Sequence, residues 1–151
     1  MHDVIVVGGG PSGSLVARNL AEKNYEVLML EEHAVSGEPQ HCSGIVSDET
    51  IRMSKVEPEI LNTIFGLEFT FPNGQSIEVR SDIHKARIID RIDFDRKMIE
   101  AAADAGTDIL YSDRYSGHRA GEIIHLDSTS GLHRAKALVG ADGASSKVAM
   151  S

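Results

Sequence analysis

The chain opens on an apolar run rich in β-branched residues, Asp3-Val4-Ile5-Val6-Val7, with no polar position alternating into it. Such a run predicts a strand covered on both faces. Gly8-Gly9-Gly10-Pro11-Ser12-Gly13 follows directly. Apolar residues then recur at helical spacing, Leu15, Val16 and Leu20 with Ala17 and Ala21, as far as Lys23-Asn24. Asn24 suits the left-handed residue at a helix end. Glu26 to Glu31 predicts a second strand with an acid at its C-terminal end.

Beyond Glu31 the periodicity stops, and His33 to Ser47 reads as one long loop of the kind that carries function or moves. Asp48 to Ile64 is weakly helical and interrupted at Pro58. Phe69-Thr70-Phe71 and Ile77-Glu78-Val79 alternate with period two around Pro72-Asn73-Gly74-Gln75, which predicts a β-hairpin turned by Asn73-Gly74. Ala86 to Asp90 is a short strand. Asp93 caps a helix whose apolar face is Phe94, Met98, Ala101, Ala102 and Ala105, and Gly106 ends it. Asp108 to Ser112, Glu122 to Asp127 and His133 to Val139 predict three further strands joined by Gly/Ser-rich turns. The whole is an α/β chain of one domain over 1–151, with a hairpin inserted at about 66–82 that is either a substrate-side sheet or surface decoration.

Charge and composition narrow the partners. Twenty-three acids against fifteen bases give a net charge of −8, so nucleic acid is not an expected ligand and no basic face is visible. The longest apolar stretches are strand-sized, and no charged segment leads into a longer one, so neither a transmembrane helix nor a signal peptide is expected. The one cysteine, Cys42, rules out an internal disulfide and suits a reducing cytoplasm.

The chemistry concentrates in the first thirty-one residues. In G-x-G-x-x-G, Gly8 allows a sharp turn out of the strand, Gly10 leaves room for a pyrophosphate against the backbone, and Gly13 lets the helix pack close to the sheet. The unpaired N–H groups and positive dipole end of that helix hold a diphosphate without lysine or arginine. Glu31 is placed to accept from the two hydroxyls of an adenosine ribose. Glu32 and His33 follow with no cation, which argues against a 2′-phosphate and so against NADP. The bland alternative is a glycine-rich turn of another α/β protein.

Other residues are less specific. Cys42, flanked by the small Ser43 and Gly44, is either part of a loop over a cofactor ring or an incidental thiol. His41-Cys42 resembles the start of a metal site, but no second cysteine or spaced histidine completes it, and no metal is expected. Arg91 could reach a ligand phosphate or carbonyl, or be a solvated arginine. Asp142-Gly143 ends the last strand where open α/β sheets bind ligands, or makes a tight turn. His118, His125 and His133 have no triad partner and read as surface residues. Gly10-Pro11-Ser12-Gly13 does not supply a hydrolase nucleophile elbow.

Taken in order, the glycine motif from Val7 to Gly13, Glu31, Arg91-Ile92-Asp93-Phe94-Asp95 and Gly140-Ala141-Asp142-Gly143 with Ser146 resemble the FAD-dependent oxidoreductases of the p-hydroxybenzoate hydroxylase fold. Gln40-His41-Cys42-Ser43-Gly44-Ile45-Val46 is similar to the geranylgeranyl reductase family, which includes the archaeal digeranylgeranylglycerophospholipid reductases. The resemblance implies a Rossmann-like FAD-binding domain with a parallel sheet, a β-meander and an inserted hairpin. It implies reduction of C=C bonds in isoprenoid chains of membrane lipids by reduced FAD, with NAD(P)H or ferredoxin as electron donor. A lipid substrate further implies peripheral membrane contact by a cytoplasmic protein.

Roles follow position by position from the same resemblance. Gly8, Gly10, Pro11, Ser12 and Gly13 hold the pyrophosphate, and Glu31 and Glu32 the ribose end. Cys42, Ser43 and Gly44 form the loop beside the isoalloxazine ring, with Cys42 the one candidate catalytic group. Arg91 touches FAD from the entrance of its helix, and Asp142 and Gly143 face the cofactor. Ser146 matches the family serine, whereas Ala149 stands where the family carries arginine. Members of the family are more than twice as long, so the chain is expected to be an N-terminal portion without the C-terminal substrate domain. Two other readings stay open: an FAD-dependent aromatic hydroxylase or monooxygenase of the same fold, and a non-catalytic nucleotide-binding fragment.

Overall fold

A computed structural model describes residues 1–40 and 42–151 of the chain. Eleven strands and three helices are formed by the described residues: β1 (His2–Val7), α1 (Pro11–Ala21), β2 (Val27–Leu30), β3 (Ile45–Val46), α2 (Asp48–Ser54), β4 (Ile60–Ile64), β5 (Gly66–Thr70), β6 (Ser76–Arg80), β7 (Ala86–Ile89), α3 (Arg91–Asp104), β8 (Asp108–Leu110), β9 (Tyr115–Arg119), β10 (Ile124–Ser128) and β11 (Gly131–Gly140). The main sheet has the order β8-β2-β1-β11-β10-β9. Its first four strands run parallel, and β9, β10 and β11 form an antiparallel meander.

The opening strand is covered on both sides, as its composition requires. Val4 and Val6 of β1 and Val27 and Met29 of β2 face α1 and α3, where they pack on Ala17, Ala21, Ile99 and Ala102. Ile5, Val7, Leu28 and Leu30 face the opposite side and pack on Tyr115, Leu126 and Ala135 of the meander. Strand periodicity thus sends alternate residues into two separate cores. Full burial of side chains such as Ile5, Val6 and Met29 is worth about 1.5–3 kcal/mol each, which makes this strand pair the anchor of the fold. Asn24 has the left-handed backbone expected of it, with φ of 65°.

Several boundaries differ from the sequence expectation. Residues 60–64 are a strand, not the end of a helix; they pair antiparallel with β7, and the helical stretch is only α2. The cap of α3 is Asp90, whose carboxylate accepts from the Asp93 N–H at 3.0 Å. Asp93 is instead inside the first turn, where it meets Arg96 and Lys97, and Arg91 is the first helical residue. The sequence pattern does not predict β9, and β8 belongs to the parallel part of the sheet beside β2 rather than to the meander.

The hairpin forms as expected from β5 and β6 with Asn73-Gly74 at its turn, and Gly74 has φ of +82°. It is a separate two-stranded sheet. The long loop after β2 is pinned to α3. Ser36 is buried and donates to the Asp95 carbonyl at 3.3 Å, and a Cβ on Gly37 would lie 3.1 Å from Ile92 Cα.

Candidate functional site

The C-terminal ends of β1, β2 and β11 converge, and a cleft of about 830 Å³ opens there. That is the size of a cofactor pocket, at the sheet edge where α/β folds bind ligands. Gly8, Gly9, Gly10 and Pro11 form its floor; Glu31, Glu32, His33, Asp113, Arg114 and Tyr115 flank one end; Cys42, Arg91 and Asp95 stand at another wall, and Asp142, Gly143 and Lys147 close the rim.

The glycines do different work. Gly8 has φ of +103°, and a Cβ there would lie 2.4 Å from the Ala141 carbonyl oxygen, so the turn is pressed against the end of β11. A Cβ on Gly13 would lie 1.9 Å from the Gly8 carbonyl oxygen, so α1 sits directly on the turn. Gly10 is the contrast: a Cβ would meet nothing within 4 Å. The space in front of Gly10 belongs to the cleft. Gly10 is also the N-cap of α1, with no side chain capping the helix, no acid in its first turn and Pro11 at the start. The first-turn N–H groups are therefore left for an anion.

Glu31 is 7% exposed and turned inward. Its Oε2 accepts from the Gly9 N–H at 2.7 Å, and its Oε1 accepts from the His33 N–H at 2.9 Å. His33 Nδ1 lies 2.7 Å from the same Oε1. A carboxylate only accepts, so this ring nitrogen carries the proton. Of roughly four lone-pair sites on the carboxylate, three are already directed at protein groups. Ser14, fully buried, donates to the Gly9 carbonyl at 3.0 Å and steadies the same turn.

Arg91 makes a two-pronged bond to Asp95, Nε to Oδ1 at 3.0 Å and Nη2 to Oδ2 at 2.9 Å. Cys42 is exposed. A backbone hydrogen bond at Gly44 lowers its thiol below the ordinary range; burial and Asp95 oppose this, and the Arg91 guanidinium adds to it. Asp142 lies on the rim, but its carboxylate is turned back onto its own turn. Oδ1 accepts from Ser146 Oγ at 2.6 Å, and Oδ2 accepts from the N–H groups of Lys147 and Val148 at 2.6 and 3.1 Å. Burial alone would raise this carboxyl; the hydrogen bonds from Ser146 and the backbone bring it below its ordinary value.

Of the residues singled out from sequence, Gly8, Gly10, Pro11, Glu31, Glu32, Cys42, Arg91, Asp142 and Gly143 meet at this cleft. Ser12, exposed on α1, and the buried Gly13 do not line it, and neither do Ser43 and Gly44. A Cβ on Gly44 would lie 2.4 Å from the Ile89 carbonyl oxygen, so that glycine serves the packing of the loop on β7. His41 lies outside the described residues. Among the described residues, no group of three or more His, Cys, Asp or Glu could hold a metal ion.

Three features are not legible in the sequence. Arg114 reaches the cleft and pairs with Glu32 at 2.9 Å, so a cation does stand near the acid pair. Tyr115 is buried against β1 and β2. His133 is half-buried and engaged rather than free on the surface; its Nε2 lies 2.9 and 3.0 Å from the hydroxyls of Ser128 and Ser130, which both donate to Asp113. No local pattern announces this cluster, because its members come from two turns. The serines bond the carboxylate directly and the histidine does not relay between them, so it is no hydrolytic triad.

The cleft fits a dinucleotide: an anion-ready helix start, open space at Gly10 and a buried carboxylate beside it. A family model described as an FAD binding domain matches residues 1–151. The chain is 32% identical to digeranylgeranylglycerophospholipid reductase 1 of Methanococcoides burtonii over 97% of this chain and 39% of that protein. It spans about two fifths of the length of such curated relatives. Among solved structures, a geranylgeranyl bacteriochlorophyll reductase-like protein of Thermoplasma acidophilum superposes with a TM-score of 0.76 at 24% identity, over 92% of this chain and 39% of that one. The halogenase PltM in complex with phloroglucinol and FAD gives 0.74 at 16% identity, over 97% and 35%. These likenesses at low identity show a common fold, and with the family model matching residues 1–151, the chain belongs to the FAD binding domain family.

Proposed function

We propose that this chain is the FAD-binding part of a flavin-dependent oxidoreductase that reduces C=C bonds of geranylgeranyl chains in isoprenoid membrane lipids. The single observation that carries the cofactor half is the open face of Gly10 beside the uncapped start of α1. The reductase half rests on the similarity to digeranylgeranylglycerophospholipid reductases.

In this reading the Gly8 and Gly9 N–H groups, given to the Leu30 carbonyl and Glu31, shape the turn, and the pyrophosphate takes the backbone at Gly10 and the first-turn N–H groups of α1, Ser12 among them, with Pro11 fixing the helix start. Glu31, already anchored by Gly9 and His33, offers its remaining acceptor capacity to a ribose hydroxyl, and Glu32 stands beside it. Arg91, held flat by Asp95, presents its guanidinium to the cleft wall. Cys42, with a lowered thiol pKa, would be the residue of its loop facing the flavin ring, with Ser43 and Gly44 outside the cleft and Gly44 packing the loop on β7. Asp142 and Gly143 shape the rim, the carboxylate acting through the turn that it holds. The chemistry that reduced FAD would supply when held here is hydride donation to one alkene carbon, the other carbon taking a proton. The cleft residues orient the ring and keep water from it. NAD(P)H or ferredoxin supplies the electrons, and the lipid substrate brings the protein into peripheral contact with a membrane; no helix among the described residues is long and apolar enough to cross one.

The test is reconstitution of the chain in its full-length context with FAD, chemical reduction, and incubation with a geranylgeranyl lipid. A mass gain of two hydrogens per double bond is the expected result. Intact double bonds, with oxygen uptake stimulated by a phenolic compound instead, would turn the assignment to a hydroxylase.

A further inference from the structure

A second charged pair lies at the end of the cleft that the flavin reading gives to adenosine, and the role proposed for it rests on that reading. Glu32 Oε2 accepts from Arg114 Nε at 2.9 Å. The partners are 82 residues apart in sequence. Glu32 follows β2 and Arg114 precedes β9, and both line the cleft with Gly9, Gly10 and Glu31. Arg114 is fixed from behind. Its N–H donates to Thr129 Oγ1 at 3.2 Å, and its carbonyl accepts from the Thr129 N–H at 3.0 Å. The adjacent Asp113 N–H donates to the Glu31 carbonyl at 2.9 Å, which ties this turn to the ribose-side acid.

We propose that Glu32 masks Arg114 as a latent 2′-phosphate site, so that the cleft accepts adenosine nucleotides with a free ribose 2′-hydroxyl and turns away their 2′-phosphorylated counterparts. An arginine beside the ribose is the group that receives a 2′-phosphate, because its planar fork matches phosphate oxygens. Bonded to Glu32 through Nε, that fork has its charge partly offset, and Glu32 repels a phosphate dianion. Glu31 and Asp113 are the other acids at this end of the cleft; Glu31 is turned toward Gly9 and His33, and Asp113 toward Ser128 and Ser130. His33 carries its Nδ1 proton toward Glu31. The Glu32–Arg114 pair is therefore the adjustable one. Its side chains are 47% and 65% exposed, so it contributes little to folding and its removal reports on recognition. The consequence is that NADP(H) competes poorly for a cradle whose backbone would otherwise hold its pyrophosphate as well as that of FAD.

The matched probes are adenosine 5′-monophosphate and adenosine 2′,5′-bisphosphate, which differ only in the 2′-phosphate. Each is titrated against FAD bound to the full chain, with displacement read from flavin fluorescence at one fixed low salt concentration. The wild-type protein binds the monophosphate more tightly. Glu32→Gln shifts the ratio of the two dissociation constants toward the bisphosphate by about tenfold, the worth of one charge-assisted phosphate contact. Adding Arg114→Gln cancels that gain. Arg114→Gln alone, which leaves Glu32 unpaired, sharpens rejection of the bisphosphate and serves as the test should Glu32→Gln fail to fold by circular dichroism. A ratio unmoved in Glu32→Gln, a gain that survives Arg114→Gln, or relaxed rejection in Arg114→Gln alone overturns the inference and leaves the flavin assignment standing. A wild-type protein that binds neither FAD nor the monophosphate overturns both.

Discussion

The Gly9 N–H donates to Glu31 Oε2 across 2.7 Å, joining residues 22 apart in the chain. A Cβ on Gly9 would lie 2.8 Å from that same oxygen, so the two residues are matched in shape as well as in hydrogen bonding. Sequence motifs present the glycine turn and the strand-end acid as two independent contacts to a ligand. In the folded chain they first contact each other.

Replacing Glu31 with alanine leaves the buried Gly9 N–H and the half-buried His33 N–H without their acceptor. The expected cost is about 1–3 kcal/mol, seen as a lower urea midpoint at unchanged slope. Glu31→Gln keeps one acceptor oxygen and recovers part of the loss. Equal midpoints for Glu31→Ala and wild type would show that the bond does not hold the turn.

Gly10 and Gly13 separate binding from folding. At Gly13 an added methyl would come 1.9 Å from the Gly8 carbonyl oxygen, which is backbone and cannot move aside cheaply. Gly13→Ala is expected to destabilise by about 1–3 kcal/mol or more. Gly10→Ala adds its methyl to open space, so stability should change by less than about 1 kcal/mol, the scale of an N-cap change. Its FAD affinity should nevertheless fall, because the methyl occupies the approach to the backbone. Thermal melts with and without FAD check both. A Gly10→Ala protein that is stabilised by FAD as much as wild type would remove the pyrophosphate from that position.

The βαβ unit is legible because its signals are local: a two-face apolar strand, a glycine turn, a helix of fitting period and an Asn24 end all agree within thirty-one residues. The hairpin is legible for the same reason, through Asn73-Gly74. The features that escape the sequence are long-range. β9 carries Ser116, Gly117 and His118 in its middle, a poor strand by composition, and is a strand because it pairs with β10. Residues 60–64 read as weakly helical in sequence, and pairing with β7 makes them a strand. Arg114 stands beside Glu32 only because β9 brings it there. The inward turn of Glu31 and the self-bonded carboxylate of Asp142 are rotamer facts that residue type does not carry.

The cluster around Asp113 gives a pH signature. Asp113 is 3% exposed; Oδ1 accepts from the Ser130 N–H at 2.8 Å, and Oδ2 accepts from the hydroxyls of Ser130 and Ser128 at 2.6 and 3.0 Å. Burial pushes its carboxyl up, but the serine bonds and His133 outweigh burial and leave it below the unfolded value of 3.8. A folded-state pKa below the unfolded one means that the carboxylate stabilises the fold fully above 3.8 and loses that contribution as pH falls through the folded value. Asp113→Asn should therefore cost about 1–3 kcal/mol near neutrality. The gap to wild type should close as the pH drops below 3.8. Urea unfolding of both proteins across a pH series measures it, and a gap that persists undiminished in acid would assign the loss to packing instead of charge.

The hairpin carries the remaining expectation. Leu67 pairs with Val79 and Phe69 with Ile77, which puts four apolar side chains on one face. All four are more than half exposed, at 51%, 53%, 56% and 55%. The opposite face sets Glu68 against Glu78. Two strands alone are marginal in water; the Ser81 N–H to the Phe65 carbonyl closes the hairpin's base and the Lys85 N–H to the Ile64 carbonyl continues it into the β4–β7 pair, both at 2.8 Å. A contiguous exposed apolar face of this kind drives association. Phe69→Thr with Ile77→Thr keeps β-forming residues at both positions and removes the apolar centre. The double variant should keep its unfolding midpoint to within about 0.5 kcal/mol, as changes at exposed positions do. It should also show less concentration-dependent association in sedimentation velocity than wild type. A drop well beyond that margin would mean that the face is buried in the folded chain in solution, and unchanged association would move the sticky surface elsewhere.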